Sequence, residues 1–504
     1  MNQEKTASLH SRYNPEGEAE RYIDSLSIND KINDKIRFFI LIEPGLGYIV
    51  PPLKRKAPHA KVIALHAEKP SQEPTVKLPT VKLPKVAADS EWFPETGLSI
   101  QEFLEAEIPD SQASEIRLLE WRPALNVYGH LYRILVEEAA AFIKRSDANA
   151  RTTKAFGSRW FKNFFKNLSI IKTAISPASP VNNNLSTDNL SADNLSAISL
   201  PLLVTGAGPG LEDAIPILKN EVPGGLFILA SSSSAAALEA NDLIPDLVLS
   251  TDGSNWARLH LFNSFRNNPQ KKQTCPLAAA LTAALPSQCG ALPVLVISDG
   301  SFWQTLILRE LQIPFIALPQ RGTVTAAALD LAFALTGGQI YIAGMDLANR
   351  DIRSHARPYS FDALIEERAS RTNPAYSETY KRSSQLKAGG SYGIYACWFE
   401  KQLSLYPRPL CPIGKNNSIF NSSAVLLSAD KQKTGASIKF NKTSLNFAAD
   451  PAERALSILE ASLKDPASSK ALQKELQALL LPDGGAVSEK DIIDAIHRES
   501  NGQG

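Results

Sequence analysis

The sequence predicts an α/β protein built on a central parallel sheet with helices on both faces. Two observations carry this expectation. From Leu200 onward, short apolar runs alternate with helical patterns, the signature of strand–helix units in a parallel sheet. The runs are also nearly continuous in apolar character, as strands covered on both faces require. The clearest junction is "LLVTGAGPGLEDAIPILKN", Leu202 to Asn220, which reads as a buried strand, a glycine-rich turn and a helix.

The 504 residues are too many for one ordinary core, so two or three domains are expected. Residues 1–175 read as an N-terminal α/β domain, with the apolar runs "IRFFILIE" and "KVIALH" around the turn "PGLGYIVPPL". Gly45 and Gly47 in that turn read as structural or as a ligand approach, and no further motif decides. The tandem repeat "PTVKLPTVKLPK", Pro74 to Lys85, reads as an extended loop. Helical periodicity is read over residues 113–145, and "RWFKNFFKNLSII" sets Phe161, Phe164, Phe165, Leu168 and Ile171 on one face. That stripe fits a helix packed on its own domain or one lying on a membrane surface.

Residues 176–199 repeat Asn-Leu-Ser three times in a polar, low-complexity run and read as a linker. Residues 200–410 form the central α/β domain. Its predicted strands are "PLLVTG", "GLFILA", "PDLVLSTDG", "PVLVISDG", "PFIALPQ" and "QIYIAGMDL". Residues 411–504 read as a helical region, with leucines or isoleucines at helical spacing from about residue 445.

Charge excludes some partners. The chain has 53 Lys+Arg against 52 Asp+Glu, so no basic field points to nucleic acid. Four cysteines without a C-x-x-C pair and only seven histidines argue against a zinc site, and no metal site is expected. No run of 18 apolar residues occurs and the N-terminus is polar, so neither a membrane span nor a signal peptide is expected. The expected location is the cytoplasm.

In parallel sheets, ligands bind beyond the carboxyl ends of the strands. That rule singles out Gly206, Gly208, Pro209, Gly210, Ser231, Asp252, Asp299 and Asp346. "GAGPGL" offers backbone N–H groups and a helix start to an anion. It lacks the Lys-Ser/Thr of a P-loop, and Leu211 fills the third glycine position of the dinucleotide fingerprint. The serines from Ser231 cap a helix or donate to a ligand. Asp252 is part of no Asp-x-Asp pair, which favours a leaving group that needs no metal. Gly322, Thr323 and Thr325 open a helix at the same edge. Asp346 ends the next strand, and His355 follows with Arg353 and Arg357 beside it. A histidine there suits general-base work.

These blocks, "VTGAGPGL", "PDLVLSTDG" and "GTVTAAALDLAFALTGGQIYIAGMDLA" with a histidine after it, resemble the motility-associated factor (Maf) glycosyltransferases of flagellated bacteria. The match covers roughly residues 200–400, and "LHSRYNPEGEAERYI" and "PGLGYIV" look like the family's first domain. The central domain is similar to bacterial sialyltransferases, and a sister branch to hydroxymethylpterin diphosphokinases.

The resemblance implies transfer of a sialic-acid-like (nonulosonic) sugar from its CMP donor to Ser/Thr hydroxyls of flagellin or another flagellar protein, with no separate cofactor. It implies that Gly206, Gly208 and Pro209 hold phosphate, that Thr323 contacts the nucleotide, and that Asp346 and His355 are the catalytic pair. Arg353, Arg357 and Tyr359 would face the substrate. Relatives usually carry serine where Gly210 stands and often tyrosine where Asn349 stands, and Tyr359 is the candidate replacement for that tyrosine. The rival readings are a pterin diphosphokinase using ATP and magnesium, and a non-catalytic flagellar assembly protein of the same fold.

Overall fold

The structure is a computed structural model that describes residues 9–11, 13–26, 35–69, 87–178, 200–221, 226–265, 275–388, 391–403, 405–414, 438–482 and 487–500. It divides into two compact units, Met1–Ala155 and Phe156–Gly504. The boundary falls inside one long helix, His130–Ile170.

The first unit holds four parallel strands in the order β3-β2-β1-β4, with β1 at Phe38–Ile42, β2 at Lys61–Leu65, β3 at Ser90–Trp92 and β4 at Ile116–Glu120. All five β1 residues are buried, as a central strand with both faces covered must be. Capping residues fix the helix starts. Asn14 accepts from Gly17 N–H before helix Pro15–Ser25, and Ser99 and Glu102 form a capping box before Ile100–Glu107. "IRLLE" is therefore a strand, although the sequence reads as helical from residue 113. A five-residue apolar run does not reveal its period, and Pro123 ends it before the long helix starts.

The turn after β1 is structural in kind. Gly45 has φ of +59°, and a Cβ there would lie 2.4 Å from His10 Nε2. Leu46 N–H donates to that nitrogen at 2.9 Å. His10 also packs against Tyr48 and Trp121, and burial lowers its pKa to about 4.

The second unit is a ten-stranded sheet with path β13-β12-β6-β7-β8-β9-β10-β5-β14, and β11 also pairs with β10. The strands are β5 (Thr173–Pro177), β6 (Leu202–Thr205), β7 (Phe227–Ser231), β8 (Leu247–Ser250), β9 (Leu277–Ala280), β10 (Pro293–Ser298), β11 (Phe315–Ala317), β12 (Ile340–Ala343), β13 (Leu410–Pro412) and β14 (Phe440–Ser444). All pairings are parallel except β14 with β5. The predicted parallel sheet thus carries one antiparallel edge strand.

The domain limits differ from those read in the sequence. The first compact unit ends at Ala155 instead of residue 175, because the aromatic stripe belongs to the second unit. Phe161, Phe164, Phe165, Leu168 and Ile171 are all buried in its core. The stripe packs on its own domain and not on a membrane. Residues 173–177 then pair with β10, and most of the expected linker, residues 179–199, lies outside the described residues. The 74–85 repeat lies outside them too. The region from 411 is not purely helical. It supplies most of β13 and all of β14 before helices Pro451–Lys464, Ser469–Leu480 and Glu489–Ser500, whose apolar faces join the same core.

Candidate functional site

The chain runs outward from β6 through β7, β8, β9 and β10, then returns to place β12 on the other side of β6. The order reverses between β6 and β12, and a crevice at the carboxyl ends is expected at that point. The glycine turn after β6 and the segment Gly344–Asp346 after β12 meet there.

They meet closely. Gly206 N–H donates to Ala343 O and Gly208 N–H to Gly344 O, both at 2.8 Å. Gly210 N–H donates to Asp346 Oδ2 at 2.6 Å. A Cβ on Gly208 or Gly210 would lie 2.2 Å from an Asp346 carboxylate oxygen. The glycines are thus required by the approach of Asp346 and Gly344. The first amides of helix Leu211–Glu221 are taken by the turn's own carbonyls: Leu211 N–H bonds Gly208 O, and Glu212 N–H bonds Pro209 O. The anion seated on the turn is the chain's own Asp346, which is 4% exposed. Burial raises its pKa, while the Gly210 amide and Arg350 oppose the rise.

The loop after Asp346 is clamped to the helix after the turn. Arg350 forks onto Asp213, with Nη1 at 3.2 Å from Oδ1 and Nη2 at 2.5 Å from Oδ2. Arg353 Nη1 reaches Glu212 at 2.9 and 3.2 Å. Arg357 N–H also donates to Glu212, and Ala356 N–H to Ala207 O at 2.8 Å. Arg353, read from the sequence as a substrate contact, has its guanidinium on Glu212. Arg357 keeps about half its side chain exposed, with Nε 3.8 Å from Asp362.

This clamp presents His355. Its Nδ1 lies 2.7 Å from Ser354 Oγ, and its ring stacks on Tyr359 with centroids 4.1 Å apart and planes 12° apart. Phe361 stacks on Tyr359 at 5.3 Å, and His260 packs beside both at 5.5 and 5.1 Å. His260, on helix Leu259–Phe265, also lines the cleft described below.

The remaining candidates divide. Ser231 is fully buried, and its hydroxyl bonds Ser233 and Ser234, which in turn reaches Thr205. It serves the strand–helix junction. Thr323 caps helix Val324–Leu335, its Oγ1 accepting from Ala326 N–H at 3.0 Å, and this leaves its hydroxyl proton for donation. Gly322 before it has φ of +74°, with Tyr395 Cε1 3.8 Å from where a Cβ would be, and Thr325, the second residue of the helix, is half-buried. Burial, and after it the charge of Asp252, raise the Tyr395 pKa. Asn349 donates through Nδ2 to Ser383 O at 3.0 Å and ties its loop to helix Ala375–Ala388.

Asp252 opens on a cleft of about 430 Å³, lined also by Trp256, His260, Phe361, Arg368 and Glu378. Asp252 Oδ1 accepts from Ser254 N–H at 2.8 Å. On the inner side, Asn163 donates to Gly253 O and Thr282 O, and Asn167 to Leu281 O and Ala283 O, so the helix from residue 156 onward closes the ends of β8 and β9 from below. Sequence reading missed Trp256, Tyr395, Arg368 and Glu378. A tryptophan four residues after Asp252 is the one signal for them in the sequence.

Residues 162–351 match the family model described as 6-hydroxymethylpterin diphosphokinase MptE-like. The match spans β6 to β12, the glycine turn, Asp252, Thr323 and Asp346. An uncharacterized protein of Treponema pallidum (strain Nichols) is 28% identical over 267 residues, 53% of this chain and 54% of that protein. The chain thus spans about half the length of this curated relative. Among solved structures, the chain is similar to the MAf glycosyltransferase from Magnetospirillum magneticum AMB-1, at 13% identity and a TM-score of 0.47, over 96% of this chain and 78% of that one. The pterin diphosphokinase-like family named from the motifs is thus the one whose model matches these residues.

Among the described residues, no helix is long and apolar enough to cross a membrane, and no group of three His, Cys, Asp or Glu side chains is placed to hold a metal ion.

Proposed function

We propose that the second unit is a glycosyltransferase that moves a CMP-activated nonulosonic sugar onto Ser/Thr hydroxyls of flagellin in the cytoplasm. The observation that carries this reading is the mounting of His355. Ser354 and Tyr359 orient its ring, and the Arg353–Glu212 and Arg350–Asp213 pairs hold its loop beside an open cleft.

In this reading the imidazole takes the acceptor hydroxyl's proton as the oxygen attacks the anomeric carbon, and CMP departs. The Thr323 hydroxyl donates to the leaving phosphate, where charge develops. Arg357, the arginine of the loop with the loosest partner, takes the sugar carboxylate. Asp346 acts from inside the glycine turn by fixing the loop's origin.

The test is the intact mass of flagellin from a strain lacking the gene. Loss of the sugar mass, restored by complementation, supports the reading. An unchanged mass leaves a diphosphokinase or a non-catalytic assembly protein.

One observation favours a second reading. The family model over 162–351 carries the name of a pterin diphosphokinase, the rival that the sequence reading pairs with ATP and magnesium. Asp252 and Glu378 are the cleft carboxylates that such a reaction would draw on.

A further inference from the structure

We propose that the cleft beyond β8 is the subsite for a flat aminopyrimidine ring, stacked on Trp256 and read through its N–H edge by Asp252. The inference rests on the site assignment above, and it names the part of the ligand that the cleft takes.

The cleft combines features that one ligand class satisfies. Its volume of about 430 Å³ is at the small end of ligand pockets and suits a nucleobase with part of its sugar. Trp256 is 53% exposed, an unusual state for an indole that lines a concave wall. Phe361 lies on the same lining and belongs to the aromatic group that ends at His355, so a ring in the cleft is continuous with the candidate base. The two carboxylates present acceptors. Glu378 is already engaged by Lys381 at 2.9 Å, whereas among the described residues Asp252 accepts through Oδ1 alone, from Ser254 N–H.

One face of the indole is already met by the chain, so an incoming ring stacks on the other face or takes the place of Arg368. The Arg368 guanidinium stands 5.7 Å from the Trp256 ring centre. A guanidinium is flat and rich in N–H donors, and it stacks on aromatic faces. An aminopyrimidine shares that flat shape and N–H edge. It is the chemistry common to cytosine in a CMP donor and to the pyrimidine half of a pterin. A uracil ring, which shows a carbonyl where cytosine shows an amino group, would set an oxygen against Asp252.

The test measures binding of CMP, UMP and 6-hydroxymethylpterin to the full chain by calorimetry in EDTA, for wild type, Trp256→Ala, Trp256→Phe and Asp252→Asn. Trp256 is half-exposed, so the alanine variant is expected to fold, and circular dichroism checks this. In wild type, CMP or the pterin should bind at least tenfold more tightly than UMP. Trp256→Ala should weaken that ligand by about tenfold or more, the size of one lost base–aromatic stack, and Trp256→Phe should keep most of the affinity. Asp252→Asn, whose amide can donate to a carbonyl, should bring CMP and UMP toward parity.

If the pterin alone shows these dependences, the subsite stands and the glycosyl-transfer reading falls. If CMP binds but Trp256→Ala changes nothing, the subsite falls and the transfer reading stands. Binding of none of the three ligands overturns the subsite.

Discussion

The imidazole of His355 lies flat on the phenol ring of Tyr359, with 4.1 Å between ring centres. Tyr359 is only 8% exposed, so the stack sets the plane in which the histidine ring can face an acceptor. Tyr359→Phe should retain most transfer, because the stack needs the ring and not the hydroxyl. Tyr359→Ala should lower kcat with little change in donor affinity. Steady-state kinetics on both variants checks this, and a kcat loss in the phenylalanine variant equal to that in alanine would assign the role to the hydroxyl.

Glu212 holds both Arg353 and the backbone of Arg357. Glu212→Ala should release the loop that carries His355. Donor binding should persist while turnover falls. Both partners are part-exposed, so little stability change is expected. Parallel measurement of CMP affinity and turnover separates the two effects.

Gly210 is expected from the resemblance to be a serine, and the approach of Asp346 gives the reason for glycine here. A Cβ would lie 2.2 Å from the Asp346 carboxylate, itself buried and unable to move into water. Gly210→Ser should therefore destabilise the protein, by about 1–3 kcal/mol as overpacking does, instead of restoring a phosphate contact. Urea unfolding gives the value. Equal or greater stability in the serine variant would show that the Asp346 side chain relocates readily.

Burial raises the Asp346 pKa in the folded protein. Between the ordinary carboxylate range and that raised value, the folded state binds more protons than the unfolded chain. Stability from this group accordingly falls as pH rises through that window. Asp346→Asn keeps an acceptor for Gly210 N–H and does not titrate. The stability of wild type relative to Asp346→Asn should decline across the window. A difference that is flat or rises with pH would contradict the burial argument.

Much of this fold is legible in the sequence, for a physical reason. Strands buried on both faces must be apolar throughout, and glycine must stand where two backbones touch, so β6, β8, β10 and β12 and the turn at Gly206 announce themselves. β9 does not, because "LAAA" has weak strand propensity and is buried by its neighbours. β14 does not either, because "FNKTS" is an exposed edge strand.

The site is legible at its strand ends but not in its pairings. Nothing in the spacing tells that Arg353 meets Glu212 or that Asp346 fills the glycine turn. Trp256, Arg368 and Glu378 come from separate segments that only the tertiary fold gathers. His260 joins them in the same way, so the neutral control among the histidines is His497, about half exposed on helix Glu489–Ser500.

The central claim is base catalysis of sugar transfer by His355, and one measurement tests it most directly. Purified protein is incubated in EDTA with a CMP-nonulosonate and unglycosylated flagellin, and the intact flagellin mass is followed over time. Wild type should add the sugar mass. His355→Ala should lower the rate by roughly 10²–10⁴-fold while CMP affinity holds, and His497→Ala should match wild type. No mass gain with wild type, together with diphosphate formation from ATP, magnesium and hydroxymethylpterin, would contradict the account.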